Sequence, residues 1–288
     1  MNVRRTLPQR QRSLIGGWCF LDHYGPDPVA ETGGMRVPPH PHTGLQTVSW
    51  LFTGEIEHRD SAGNHAYVRP GELNLMTAGR GISHSEVSAP GTTVLHGAQL
   101  WVALPEGARF TEPGFERYVP GLVHGTGCTA RVFLGSLLGQ TSPVVSYSPL
   151  VGAEISIAAG GTATIETDPA FEHGVLVDTG TVSVNGTPVG AARLAYLAPG
   201  APALELHADA AARVLLLGGR PLGEQIVMWW NFIGRSHEDI AAYRAAWQAA
   251  ISAGPGHPGP GRFALPPGDP LPPIPAPALP NVTLRPRG

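Results

Sequence analysis

Lysine is missing from this 288-residue chain, and all 19 of its basic residues are arginine. With a formal net charge of -3 and no dense basic run, the chain lacks the electrostatic footprint of direct nucleic-acid or membrane-surface binding. Arg4, Arg5, Arg10 and Arg12 form the one basic cluster and suit solvated positions on an N-terminal arm. The two cysteines, Cys19 and Cys128, are too few for a disulfide framework and have neither metal nor redox spacing. No apolar stretch has the length of a membrane span, and no signal-peptide core follows the N-terminal arginines. A reduced, cytoplasmic protein is the expected setting. Glycine (38) and proline (30) are plentiful, which fits many turns and little helix, and 42% hydrophobic residues can bury a sizeable core.

The chemistry-bearing residues concentrate between His40 and Glu86. His40-Pro41-His42 and His84-Ser85-Glu86 are two short metal-ligand pairs. A strand sends alternate side chains to one face, so both members of each pair can aim at one interior point. Brought together, they make a site of three histidines and one carboxylate. Gln46, Val48, Trp50 and Phe52 share the parity of the two histidines and are mostly apolar, which predicts a strand with a dry inward face. Gly54 breaks that run, and Ile56, His58 and Asp60 continue as a second strand. Ser61 to Asn64 offer a turn, Pro70-Gly71 punctuates, and Leu73, Leu75 and the Ala78 to Gly81 loop lead to His84 and Glu86. Short strands with frequent turns predict a barrel or sandwich. Three imidazole nitrogens and one carboxylate oxygen suit Fe(II), Mn, Ni, Cu or Zn rather than Ca or Mg. Four protein ligands leave two positions open on an octahedral ion and none on a tetrahedral zinc. The alternative is a set of separate, hydrogen-bonded histidines.

Residues 1 to about 30 read as an arm on a first barrel, with Asp22-His23 as a structural pair. The His96 to Leu104 stretch alternates as a strand that places Gln99 and Trp101 on one face. Ala130 to Leu134 is a further strand, and Thr141-Ser142-Pro143 marks a boundary near residue 140. The second half echoes the first: Val175 to Val182 repeats the Val48 to Ile56 pattern, and Pro199-Gly200 repeats Pro70-Gly71. The ligands are not echoed, since His173 stands alone, so the second barrel is expected to hold no metal. Ser236 caps the clearest helix, with Asp239 in the reciprocal position and Ile240, Tyr243, Trp247 and Ala250 on one face, and Gly254-Pro255 stops it. Beyond lies a proline-rich tail, read as wrapped on the surface through Phe263, Leu265, Ile274 and Leu279. The domain reading is therefore 1–140 for the arm and metal-binding barrel, 141–235 for the second barrel, 236–253 for the helix and 254–288 for the tail.

Gly34, His40-x-His42, Gly54, then Pro70-Gly71 ahead of His84 resemble the paired motifs of the cupin superfamily. Within it, the stretches HPHTGLQTVSWLFTGEIEHRDS and RPGELNLMTAGRGISHSE resemble the pirin family, as do Phe20 to Pro26, Gln99 to Pro105 and Val227 to Phe232. The resemblance spans about Arg4 to Trp247. It implies an all-β fold of two tandem jelly-roll cupin barrels with a short C-terminal helix and a proline-rich tail. It also implies one divalent ion held by His40, His42, His84 and Glu86, with Fe(II) favoured and Mn, Ni, Cu or Zn as other occupants. Gln46 departs from the glutamate that many cupins carry there, while pirins take the carboxylate from the position of Glu86. Some pirin-like proteins are quercetinases, which open flavonols with dioxygen. By that resemblance Glu86 would be ligand and general base, and Trp50, Met76, Gln99 and Trp101 would line the substrate. A second implied function is regulatory, with a metal-dependent or redox-sensing surface acting through a protein partner such as a transcription factor or metabolic enzyme. A metal-independent isomerase or a sugar-binding cupin fits the intact ligand set less well.

Overall fold

The computed structural model describes residues 1–253 and 262–288 and contains two tandem antiparallel β-barrels. In the first, a six-stranded sheet runs in the order Val3–Leu7, Trp18–Pro28, Val94–Ala103, Leu45–Thr53, Leu73–Thr77 and Gly114–Tyr118. It faces a four-stranded sheet ordered Arg36–His42, Ile82–Ser88, Ile56–Asp60 and His65–Val68. The N-terminal residues are thus sheet strands rather than an arm. Trp18–Pro28 shows little alternation in sequence because it is buried almost throughout.

The second barrel repeats this plan. Its six-stranded sheet is Leu122–Gly125, Cys128–Leu134, Leu150–Ile157, Ala212–Gly219, Glu172–Thr179 and Leu194–Leu197. Its four-stranded sheet is Gly161–Glu166, Ala203–Ala208, Thr181–Val184 and Thr187–Gly190. Cys128–Leu134, which the sequence groups with the first barrel, pairs with Leu150–Ile157 of the second. That partner is chosen by long-range packing, which local turn signals do not encode. The interior of the second barrel is filled by aliphatic side chains, among them Val132, Ile155, Val177, Val214 and Leu216.

The two large sheets share a core in which Val48, Trp50 and Leu100 meet Phe133, Leu176 and Leu215. Trp50 packs at a tilt against Phe133, ring centroids 4.6 Å apart, and donates its indole N–H to Glu154 Oε2 at 2.8 Å. Trp50 therefore faces the other barrel and not the histidines, which corrects its assignment as a substrate wall. The parity argument fails at Thr43-Gly44. There the chain crosses from the small sheet to the large one, and each sheet defines its own inward face. Gly44 has φ +67°, and a Cβ on it would sit 2.4 Å from the Ile233 carbonyl, so only glycine passes there. Gln46 points the same way as Trp50 and donates to Thr77 Oγ1 (3.0 Å) and the Val145 carbonyl (3.1 Å). It lies away from the histidine cluster.

Helix His237–Ala253 is capped by Ser236, whose Oγ accepts the Asp239 N–H at 3.1 Å, while the expected reciprocal bond is replaced: Asp239 Oδ2 accepts the Arg235 N–H at 2.8 Å. Ile240, Tyr243, Trp247 and Ala250 are buried. These side chains pack with the hairpin Val227–Trp229/Phe232–Gly234 and with Phe263 and Ala276 of the tail. Gly254 and Pro255, the expected stop signal, lie outside the described residues. Among the described residues no helix is long and apolar enough to cross a membrane.

Candidate metal centre

Strand Ile82–Ser88 lies between Arg36–His42 and Ile56–Asp60, and this order builds the site. His40 is registered against His84 on one side, while Asp60 faces His84 and His58 faces Glu86 on the other. Directly opposed residues of an antiparallel pair share a face. All of these side chains consequently enter the barrel.

One ligand atom each from His40, His42 and His84 lie within 4.8 Å of one another, and so do those of His58, His84 and Glu86. His84 belongs to both groups. His40, His42, His84 and Glu86 are all buried, none more than 6% exposed. His40 Nδ1 lies 2.9 Å from the Pro38 carbonyl and His42 Nδ1 lies 3.1 Å from the Asn231 carbonyl. A carbonyl only accepts, so both Nδ1 atoms carry the proton and both Nε2 atoms present lone pairs. Asn231 belongs to the Val227 to Phe232 motif, docked here by the Ile233 N–H to the Thr43 carbonyl at 3.0 Å. The motif thus orients the His42 imidazole from the opposite end of the sequence.

Electrostatics keep the imidazoles neutral. Burial lowers the His40 pKa to about 4 despite the Pro38 carbonyl, and burial with neighbouring histidines drives His42 and His84 well down as well. Burial raises the Glu86 pKa, against the opposing pull of His58 and of the Ser49 hydroxyl. His42 Nε2 and His84 Nε2 are 3.1 Å apart, about the separation of adjacent ligands on one ion with metal–nitrogen bonds of about 2.0–2.1 Å. Neutral nitrogen donors, converging lone pairs and a nearby carboxylate fit a divalent transition-metal ion and not a hard Ca-type site. Among the described residues, no such ligand group lies wholly within the second barrel.

The remaining candidates divide. Trp101 meets His42 edge-on at 5.1 Å and stacks on Phe20 at 4.0 Å, and Met76 belongs to the same apolar cluster. Gln99 lies 2.9 Å from Ser49 Oγ, and that hydroxyl donates to Glu86 Oε1 at 3.1 Å. Ser49, His58, Asn74 and Tyr24 were not singled out by sequence reasoning. The signal for His58 was present, since it shares inward parity with Asp60, but its register against Glu86 comes only from the sheet. Asn74 is paired with Ser49 and shares its face. Its amide atoms and the Tyr24 hydroxyl are buried without hydrogen-bond partners among the described residues. Burial raises the Tyr24 pKa well above its ordinary value, and the charge of Glu86 adds to the rise.

A third buried group, His23, His96 and Asp178, joins the barrels. Asp178 Oδ1 lies 2.7 Å from Nε2 of both histidines, and Oδ2 lies 2.7 Å from Arg213. Arg213 neutralises Asp178, so this cluster reads as an ion-paired clasp. Asp22, next to His23, pairs instead with Arg5 at 2.8 Å.

Two tandem barrels of this topology, with the histidine cluster opening from one small sheet, define a bicupin. The chain belongs to the pirin family. The Pirin family model matches residues 1–102 and that of the Pirin C-terminal cupin domain matches residues 152–252. A Pseudomonas aeruginosa protein, named provisionally as a quercetin 2,3-dioxygenase, is 46% identical over 86% of this chain and 79% of its own length. A crystal structure of quercetin 2,3-dioxygenase from Acinetobacter baumannii superposes with a TM-score of 0.91 at 38% identity, covering 99% of this chain and 92% of that one. The bacterial pirin YhhW from Escherichia coli, solved with nickel(II), shares the fold at a TM-score of 0.58 and 20% identity, covering 76% of this chain and 91% of that one.

Proposed function

We propose that this chain is a mononuclear metal-dependent dioxygenase of the quercetinase type, holding one divalent ion through His40, His42, His84 and Glu86. The observation that carries the reading is the trio of buried, neutral imidazoles beside a buried carboxylate. Fe(II) suits both the donor set and dioxygen chemistry, and Mn, Ni, Cu and Zn fit the same donors. When bound, the ion supplies a Lewis-acidic centre that lowers the pKa of a coordinating hydroxyl and brings dioxygen to the same place.

The chain's own residues supply the rest. Glu86, its pKa raised by burial, accepts the flavonol hydroxyl proton, and Ser49 fixes the carboxylate that receives it. Trp101, Phe20 and Met76 give the aromatic substrate an apolar surface that excludes water. The Asn74 amide and Tyr24 hydroxyl, buried without partners among the described residues, are the groups this reading assigns to the flavonol's oxygens, since a buried polar group left without a partner costs about 1–3 kcal/mol. We also place the metal in the first barrel alone, with the second barrel as support, the tail as a segment on the surface and a cytoplasmic setting for the whole.

Oxygen consumption by Fe(II)-reconstituted protein with a panel of flavonols tests this reading. Substrate-dependent uptake that disappears in His40→Ala is expected. No uptake with Fe, Mn, Ni or Cu in the site would remove the dioxygenase and leave a regulatory role through protein partners.

A further inference from the structure

His58 is 3% exposed, inside the first barrel, and belongs to none of the roles given above. Its Nε2 lies 3.3 Å from Asp60 Oδ2, and its Nδ1 lies 3.4 Å from His84 Nδ1. Asp60 is itself fixed. Its Oδ1 accepts the backbone N–H of Ala62 at 2.9 Å and of Asn64 at 3.0 Å, and the Asn64 amide reaches both carboxylate oxygens.

The proton positions along this chain follow from which atoms can only accept. The Asp60 carboxylate accepts, so a neutral His58 carries its proton on Nε2 and presents a lone pair at Nδ1. That lone pair faces His84 Nδ1, which must then carry a proton, and His84 is left with its Nε2 lone pair directed toward His42. The opposite tautomer of His84 would set two lone pairs against each other at Nδ1, or turn the His58 Nε2 lone pair toward a carboxylate. His40 and His42 have their tautomers set by the Pro38 and Asn231 carbonyls. Among the described residues His84 has no such carbonyl contact, and His58 occupies the equivalent place.

We propose that His58, backed by Asp60, is the positioning residue for the third ligand imidazole, fixing the His84 tautomer and ring so that all three Nε2 lone pairs converge. The proposal rests on the metal reading above. It also assigns the second ligand group, His58 with His84 and Glu86, to support of the site rather than to an alternative coordination sphere. Groups of this kind, hydrogen-bonded to the far nitrogen of a ligand histidine, typically contribute 10–100-fold in metal affinity.

Ni(II) affinity by chelator competition, and electron spin echo spectra of Cu(II)-loaded protein, would be measured on wild type, His58→Phe and His58→Asn. Phenylalanine keeps the stacking of His58 on Phe115, whose rings are 4.7 Å apart, but removes both nitrogens. Asparagine places an acceptor near the position of Nδ1. The expected results are about 10–100-fold weaker Ni(II) binding in His58→Phe, most of the affinity retained in His58→Asn, three coordinated imidazoles in every variant, and an altered remote-nitrogen coupling for one of them in His58→Phe. If His58→Phe does not fold, His58→Leu, also without an acceptor, takes its place. Ni(II) affinity unchanged within about threefold would overturn the proposal. So would the loss of one coordinated imidazole, which would make His58 a ligand. Wild type that takes up neither ion would instead overturn the metal reading itself.

Discussion

His40 illustrates what burial does to a histidine. Its pKa falls to about 4 from an ordinary value near 6.5. In the metal-free protein, an unfolded chain takes up a proton there as pH falls through about 6.5, while the folded chain refuses it until about pH 4. Stability is therefore full above the unfolded value and declines through that window, by up to about 1.4 kcal/mol per pH unit for each such histidine. His42 and His84 add the same sign, and Glu86, shifted upward, opposes it. Thermal melts of metal-free protein should be flat from pH 8 to 7 and fall progressively below about pH 6.5; a flat profile down to pH 5 would contradict neutral burial. At the same scale, His84→Ala and Glu86→Gln should fail differently. The first removes a nitrogen donor and with it the metal, read by elemental analysis. The second is nearly isosteric, retains metal through three imidazoles, and should lower turnover by roughly a hundredfold or more when saturated.

At the level of elements, the tail behaves unlike its composition. Proline-rich sequence offers few ladder hydrogen bonds, yet the Ile274 N–H donates to the Pro39 carbonyl, next to His40, at 2.8 Å. The Trp247 indole donates to the Ile274 carbonyl at 2.8 Å, and Phe263 is buried between Trp247 and Phe232. Phe263→Ala should destabilise by about 3–5 kcal/mol, visible as a lowered denaturant midpoint. Phe263 could be read in advance as an apolar anchor because it is an aromatic residue in a proline-rich segment. The shared inward facing of His40, His42 and His84 and the Ser236 cap were legible for similar reasons, since each depends on spacing within a short stretch, and the duplication was legible because its two halves repeat the same short patterns. The facing of Trp50, the pairing of Cys128–Leu134 and the part played by His58 depend on which strands become neighbours. That information is spread over contacts between distant segments, so no local pattern carries it.

Across the whole molecule, the barrels are joined by a shared aliphatic and aromatic core and by the Asp178 clasp. They should unfold as one cooperative unit. Asp178→Ala leaves Arg213 unpaired beside two buried histidines and should cost about 3 kcal/mol, lowering the melting temperature without splitting the transition in two. Metal stoichiometry belongs to this scale as well. The two groups that share His84 lie in the first barrel, the third is ion-paired to Arg213, and the second barrel is packed with aliphatic side chains, so elemental analysis should find one ion per chain. Two tightly held ions would rule out the single-site arrangement.

Strand Ile82–Ser88 has two occupied faces. His84 and Glu86 point into the barrel, while the hydroxyls of Ser83 and Ser85 on the outside donate to the Ala264 carbonyl and to Asp269 of the tail. One ribbon thus presents the proposed metal site on one side and the tail on the other, and whatever orders it for one orders it for both. Linkage makes that sharing mutual: if the tail favours the ligand-ready ribbon, the ion must favour the docked tail by the same factor. Amides of residues 262–276 should accordingly exchange with deuterium more slowly in metal-loaded than in metal-free protein, and a protease should find the tail harder to cut. The outer surface of this protein would then carry a legible copy of a state set at its interior, available to any partner that reads the tail.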